Sequence, residues 1–259
     1  MGAFKDQHFL IDAGAVDIIA DAVPVSGRTV LEIGPGGGIL TRALLDRGAT
    51  VHAVELDTGL LPNIERLFSE ELADERLTIT MGDASKVPLP SYELVVANLP
   101  YSISSKITFR LLDEGFEKAV LMYQLEFAKR MAACPGTDDY GRLSVTVQAL
   151  ADVELILELP PHAFSPAPEV WSAVVVVTPR PSQIPIENRS VFENLVRELF
   201  SHRRKTIANG LKGLSGLYGK DTLRAFSAEL GEDLLKKRPE VLSVTEFIIL
   251  SNKLTAHVR

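Results

Sequence analysis

Thr29-Val-Leu-Glu-Ile-Gly34-Pro-Gly36-Gly-Gly38 decides the fold. The run up to Gly34 reads as a buried strand, and the glycines after it mark a strand-to-helix turn followed by a helical stretch to Arg47. Working outward, Thr50 to Asp57 is the next strand, Gly59 to Leu72 the next helix and Leu77 to Gly82 a third strand. Tyr92 to Ala97 is a fourth strand, Ser104 to Leu112 a helix and Lys118 to Gln124 a fifth strand. Strand and helix alternating at this rhythm predict an α/β fold, a doubly wound, mostly parallel sheet covered by helices on both faces. Such sheets bind ligands beyond the carboxyl ends of their strands, so the residues just after each strand are the candidates for chemistry.

Past Gly141-Arg-Leu-Ser144 and a helix, two apolar runs, Val153 to Leu159 and Ala173 to Thr178, read as a closing hairpin joined by the proline-rich stretch Pro160 to Pro168. Thr178-Pro-Arg-Pro-Ser182 reads as a linker, because closely spaced prolines continue neither a helix nor a central strand. Beyond it, Val191 to Phe200, Lys205 to Leu214, Lys220 to Leu230 and Thr245 to Leu254 are helical patterns. The expected organisation is a catalytic domain over residues 1–180 and a smaller all-helical domain over 181–259. The formal net charge of -7 argues against a protein that coats nucleic acid, yet it is unevenly distributed. Residues 1–180 carry -11 and residues 181–259 carry +4.

Cys134 is the single cysteine, which leaves no disulfide framework within one chain and fits a reducing cytoplasm. No window approaches a membrane span, and Met1 to Leu10 lacks the apolar core of a signal peptide, so a cytoplasmic protein with no membrane partner is expected. The five histidines, His8, His52, His162, His202 and His257, show no metal-ligand spacing, and no metal is expected. Acid pairs such as Glu70-Glu71 and Asp138-Asp139 read as solvated.

The glycine turn has the spacing G-x-G-x-G, with Ile39 where a dinucleotide fingerprint wants glycine or alanine, and no Gly-Lys-Ser/Thr follows to make a phosphate loop. Gly34 and Gly36 therefore suit a phosphate-free nucleoside such as S-adenosylmethionine; the alternative is a plain tight turn. Glu55 ends the second strand, where a carboxylate can accept both ribose hydroxyls, although nicotinamide enzymes share that position. Asp83 ends the third, where a carboxylate can accept from the exocyclic amine of adenine. The fourth ends in Asn98-Leu-Pro-Tyr101. An exocyclic amine on a base is a poor nucleophile because its lone pair is delocalised into the ring. The Asn98 side-chain oxygen and the Leu99 carbonyl can each accept one N–H and localise that lone pair, Pro100 fixes the turn, and Tyr101 can stack on the base. No general base is needed before methyl transfer, since the proton can leave the cationic product afterwards.

With these residues in place, the sequence resembles the ribosomal RNA adenine N6,N6-dimethyltransferases, and within them the archaeal small-subunit enzymes. The resemblance covers Gln7-His-Phe-Leu10, Glu32-Ile-Gly-Pro-Gly36, Glu55-Leu-Asp57, Gly82-Asp-Ala84, Asn98-Leu-Pro-Tyr101, Tyr140 to Ser144, Phe164-Ser-Pro-Ala-Pro168 and Arg203-Arg-Lys-Thr206. It implies a Rossmann-like class I methyltransferase with S-adenosylmethionine contacts at His8, Leu10, Gly34, Glu55, Asp83 and Asn98. It also implies transfer of two methyl groups to each of two adjacent adenosines in a hairpin loop near the 3′ end of small-subunit (16S) RNA, during small-subunit biogenesis, by a monomer acting on a pre-ribosomal particle. Many members carry glycine where Asp6 stands. On residues alone, Gln7 to Leu10 would read as a frayed terminus. Phe164 is either a core aromatic or the second face of a clamp around the flipped adenine opposite Tyr101. Arg203, Arg204, Lys205 and Lys212 sit on the net-basic part of the chain and are expected to meet RNA phosphates, with Lys236-Lys-Arg238 a second patch. The competing readings are a large-subunit RNA adenine methyltransferase, a DNA adenine methyltransferase, and a ribosome-assembly binding factor for which catalysis is secondary.

Overall fold

The computed structural model describes residues 7–180 and 184–258. Asp6, and Pro181 and Ser182 of the expected linker, lie outside the described residues. The strands are β1 (Phe9–Leu10), β2 (Thr29–Ile33), β3 (Thr50–Glu55), β4 (Leu77–Met81), β5 (Leu94–Asn98), β6 (Lys118–Gln124), β7 (Ala151–Leu159), β8 (Phe164–Ser165) and β9 (Ser172–Pro179). Seven form one sheet in the order β4-β3-β2-β5-β6-β9-β7, parallel from β4 through β6, with β9 antiparallel to β6. This is the doubly wound, mostly parallel sheet that the alternation predicts, and β2 and β5 are the neighbours at which the strand order reverses. Their register, Val30 opposite Leu94 and Leu31 opposite Val95, brings the glycine turn and Asn98 out at the same edge.

β1 and β8 form a separate two-stranded antiparallel sheet, Phe9 opposite Ser165 and Leu10 opposite Phe164. The segment that reads as a frayed terminus is thus held by strand pairing. The helix Ala13–Asp21, absent from the sequence reading, starts where the Asp12 carboxylate accepts from the Ala15 N–H at 3.0 Å.

The chain divides into two compact units: residues through Ala128 with Val153–Pro179, and Lys129–Asp152 with the residues from Arg180 onward. The single boundary expected at 180 differs from this, because Lys129–Asp152 contributes to the second unit's core. Tyr140, Val145 and Ala149 are buried there with Phe192, Leu195 and Phe247. Tyr140, fully buried, donates its hydroxyl to the Leu242 carbonyl at 2.8 Å, and Ser144 donates to the Arg130 carbonyl at 2.5 Å. The second unit is otherwise helical, built mainly on Arg142–Gln148, Arg189–Ser201, Ile207–Leu211, Lys220–Ala228 and Val244–His257. With these bounds it carries 17 basic against 12 acidic residues, a net of +5, and the first unit carries -12. No helix among the described residues is long and apolar enough to cross a membrane.

The glycine turn depends on a side-chain brace. Gly38, at φ +83°, caps the helix Ile39–Asp46, and a Cβ there would lie 2.6 Å from the Phe68 ring. Arg42 lies over that ring at 4.6 Å from its centroid and pairs with Glu71, which is therefore buried rather than solvated. Gly38→Ala meets both a left-handed backbone and a braced ring, so it should lower the unfolding free energy by about 2–4 kcal/mol in urea titrations.

Candidate active site

The site is assembled within the first unit at the carboxyl ends of β2, β3, β4 and β5. A cavity of about 430 Å³ is lined by His8, Glu32, Gly36, Asn98, Tyr101 and Ser165 among others. A second, of about 150 Å³, is lined by Glu55, Leu56, Asp83, Ala84, Ser102 and Ile103 among others. Gln7, Gly34, Glu55 and Pro100 border both.

Glu55 is 4% exposed and held on both oxygens: Leu56 and Asp57 donate backbone N–H to Oε1 at 2.8 Å each, and Gly36 donates to Oε2 at 3.2 Å. This sets a carboxylate at the junction of the two cavities. Gly36, at φ +55°, lies under Phe9, whose ring is 2.8 Å from where a Cβ would stand, so β1 closes directly over the turn. Asp83 follows Gly82, whose φ of +148° only glycine adopts readily, and it accepts from the Ser85 backbone N–H at 2.9 Å. Hydrogen bonding from Ser85, then the Lys86 ammonium at 2.9 Å, holds its carboxyl well below the usual carboxylate range, so it remains an acceptor.

Asn98 ends β5 with its Nδ2 donating to the His8 carbonyl at 3.1 Å. A carbonyl only accepts, so the amide nitrogen must face it and Oδ1 must point elsewhere. Among the described residues that oxygen has no donor. Leu99 buries its side chain, and Pro100 leads into the 3-10 turn Tyr101–Ile103. Tyr101 is half-buried; its hydroxyl meets Ser172 Oγ at 2.7 Å, and its ring lies 5.7 Å from that of His8. His8 Nδ1 is 2.8 Å from the Pro166 carbonyl, which ties the N-terminal segment to the loop after β8. Gly34 and Leu10 are both at the larger cavity, as expected.

Two expectations need correction. Phe164 is 3% exposed and packs in the main core, so it presents no clamp face; alternation in β8 turns Phe164 inward, and Ser165 is the residue that lines the cavity. Arg203 is committed internally, donating to Glu240 Oε2 at 3.1 Å and to the Asp138 and Thr137 carbonyls at 2.8 and 3.4 Å, which makes it a tie within the second unit. Arg204 and Lys205 are exposed with no partner among the described residues, and exposed Lys212 touches only Asn209 at 3.0 Å. In the second basic patch, Lys236 pairs with Glu232 and Lys237 with Glu246, while Arg238 shares Glu240 with Arg203, so the patch is only partly offset.

Glu32 is a site residue that sequence reasoning took only as part of a strand. It is buried against the larger cavity and accepts from the Thr41 hydroxyl at 2.7 Å. Burial pushes its carboxyl up to about 8, with the neighbouring Glu55 charge adding to the rise and the Thr41 bond opposing it. An acid within an otherwise apolar strand was the available signal.

The sheet order, with ligand-facing glycines and acids at the switch point, defines a class I methyltransferase. Residues 3–252 match the family model described as ribosomal RNA adenine dimethylase. The probable ribosomal RNA small subunit methyltransferase A of Methanospirillum hungatei is 54% identical over 99% of this chain and 100% of that protein. Its namesake in Methanococcoides burtonii is 45% identical over 97% and 92%. Among solved structures, a dimethyladenosine transferase from Plasmodium falciparum superposes with a TM-score of 0.84 at 29% identity, covering 96% of this chain and 98% of that one. The 23S rRNA methyltransferase ErmE gives 0.68 at 26% identity, covering 95% and 99%. The chain belongs to the ribosomal RNA adenine dimethylase family.

A prediction follows from Glu32. Because its folded pKa is raised above the unfolded value, the native state binds the extra proton, and stability falls as pH rises from about 4.5 towards 8. Glu32→Gln keeps an acceptor for Thr41 and carries no charge, so its unfolding midpoint in urea should drop less than that of the parent between pH 5 and pH 9.

Proposed function

We propose that the chain dimethylates adenine N6 on two adjacent adenosines in a 3′-terminal hairpin loop of small-subunit ribosomal RNA, with S-adenosylmethionine as methyl donor. The observation that carries this reading is the Asn98 amide, whose nitrogen is committed to the His8 carbonyl and whose oxygen is left to accept. The residues present fit the donor. Glu55 is a fixed carboxylate suited to a ribose diol, Asp83 an ionised acceptor suited to an adenine amine, and Gly34, Gly36 and Gly37 line the larger cavity. S-adenosylmethionine supplies an electrophilic methyl group on a sulfonium.

The remaining chemistry falls to the chain. In the first transfer Asn98 Oδ1 and the Leu99 carbonyl accept hydrogen bonds from the two N6–H groups and draw the nitrogen toward tetrahedral geometry; in the second, the one remaining N–H keeps one of these acceptors. Tyr101, pinned through Ser172, stacks on the adenine. One proton leaves the cationic nitrogen after each transfer, and the monomethylated amine then rebinds for the second. An unpaired loop adenosine is cheap to splay into such a site. Arg204, Lys205 and Lys212 supply phosphate contacts from the second unit, whose +5 charge supports an RNA-binding role. On this reading the chain acts as a monomer, and the particle it meets is a pre-ribosomal small subunit in the cytoplasm. The names of the archaeal relatives favour the small subunit over the large one.

The direct test incubates the protein with labelled S-adenosylmethionine and unmethylated small subunits, large subunits or duplex DNA, followed by mass spectrometry of the digested nucleosides. Dimethyladenosine from small-subunit RNA is expected; label only in large-subunit RNA or DNA overturns the reading. Asn98→Ala should lower kcat about 10²-fold or more while donor affinity changes much less, because it removes contacts made in the transition state. Asp83→Ala should instead weaken donor binding measured by calorimetry. Reversing Arg204 and Lys205 to glutamate should reduce the salt dependence of RNA binding by about two in log-log slope. Arg203→Glu should chiefly destabilise the fold.

A further inference from the structure

Trp171 is the single tryptophan of the chain, and its side chain is not in the core. It is 48% exposed, and Val170 before it is 44% exposed, directly after the loop that ends at Pro168. The backbone at this point is fixed. The Trp171 carbonyl accepts from the Leu125 N–H at 2.9 Å, and the next residue, Ser172, is buried and holds the Tyr101 hydroxyl at 2.7 Å. The indole therefore springs from a rigid position one Cα step, about 3.8 Å, from the residue that anchors the active-site tyrosine. Exposed Glu169 is close by in sequence, and the unit as a whole carries -12. An aromatic face binds bases without using charge, and an indole with two side-chain torsions loses little entropy when it does so.

We propose that Trp171 stacks on the nucleotide next to the target adenosine, which makes it a positioning residue for RNA at the rim of the site. The inference rests on the RNA-methylating reading given above. On this proposal the neighbour of the base that lies against Tyr101 passes the Trp171 side chain. An unpaired base there has Trp171 to rest on. Stacking at the rim keeps the loop open and the strand in register, and it tolerates either a methylated or an unmethylated neighbour because every base has a π-face.

As the only tryptophan, Trp171 is its own reporter. Titrating the full chain with an RNA hairpin carrying two adjacent loop adenosines should quench the indole fluorescence, whereas a fully duplexed RNA of equal charge should quench it much less. Trp171→Ala should raise KM for the hairpin about 5- to 100-fold, more than it lowers kcat, with S-adenosylmethionine affinity and the salt slope of RNA binding unchanged. Trp171→Phe should recover most of the loss, and Trp171→Leu should not. A wild-type enzyme that methylates RNA with no change in indole fluorescence, or a Trp171→Ala variant with unaltered KM, overturns the inference. So does a loss confined to kcat that phenylalanine fails to rescue, since that pattern belongs to disturbance of the Ser172–Tyr101 contact. Wild-type protein whose indole responds to the hairpin but which methylates none of the three substrates would overturn the catalytic reading and, with it, the placement of Trp171 beside a target adenosine.

Discussion

The connection that leaves β2 runs to one side of the sheet and the connection that leaves β5 runs to the other. Two hydrogen-bonded parallel neighbours thus end with no helix crossing between them, and the open ends of their backbones face one crevice. Every functional group is placed by that geometry. Gly34 and Gly36 continue β2, Asn98 closes β5, and Glu55 and Asp83 come from the two strands on the β2 side. Shifting Glu55 or Asn98 by one residue along its strand would turn its side chain to the other face of the sheet, so position at the strand end and chemistry at the site are one constraint.

The crevice is closed from outside the sheet by residues far away in sequence. β1 pairs with β8, His8 gives its carbonyl to Asn98, and Phe9 covers Gly36. These contacts make the N-terminal segment part of the catalytic geometry: the backbone of residue 8 decides which way the amide of residue 98 points. A tyrosine anchored by Ser172 and an acid whose charge is suppressed by burial complete a pocket whose polar groups each have an assigned direction.

The sheet and the strand-end residues were legible because both depend on local pattern. A buried parallel strand is a short apolar run, and a ligand-facing turn is written in glycine and acid at the end of that run. What was not legible depends on partners distant in the chain. β1 and β8 are two residues each, too short to show any period, and exist only through each other. Phe164 in a proline-rich loop looks accessible until its pairing with Leu10 fixes which way it faces. Arg203 reads as free charge beside Arg204, but Glu240 and two carbonyls near residue 138 consume it. Glu71 reads as a surface acid until Arg42 and Phe68 are seen around it. Lys129–Asp152 lies between two strands of the sheet in sequence, and its packing in the second unit becomes apparent only through Tyr140 and Val145.

That interleaving governs how the molecule can be made. The chain passes from one unit to the other after Ala128, returns at Val153 and leaves again after Pro179, so neither unit is a continuous piece of polypeptide. During synthesis β6 emerges with one side bonded to β5 and the other bare, because its second neighbour, β9, follows about fifty residues later. The segment translated in between cannot finish folding either, since the helices that bury Tyr140 come later still. Both units therefore reach completion only as the last third of the chain leaves the exit tunnel, and no single scission of the finished protein releases either one whole.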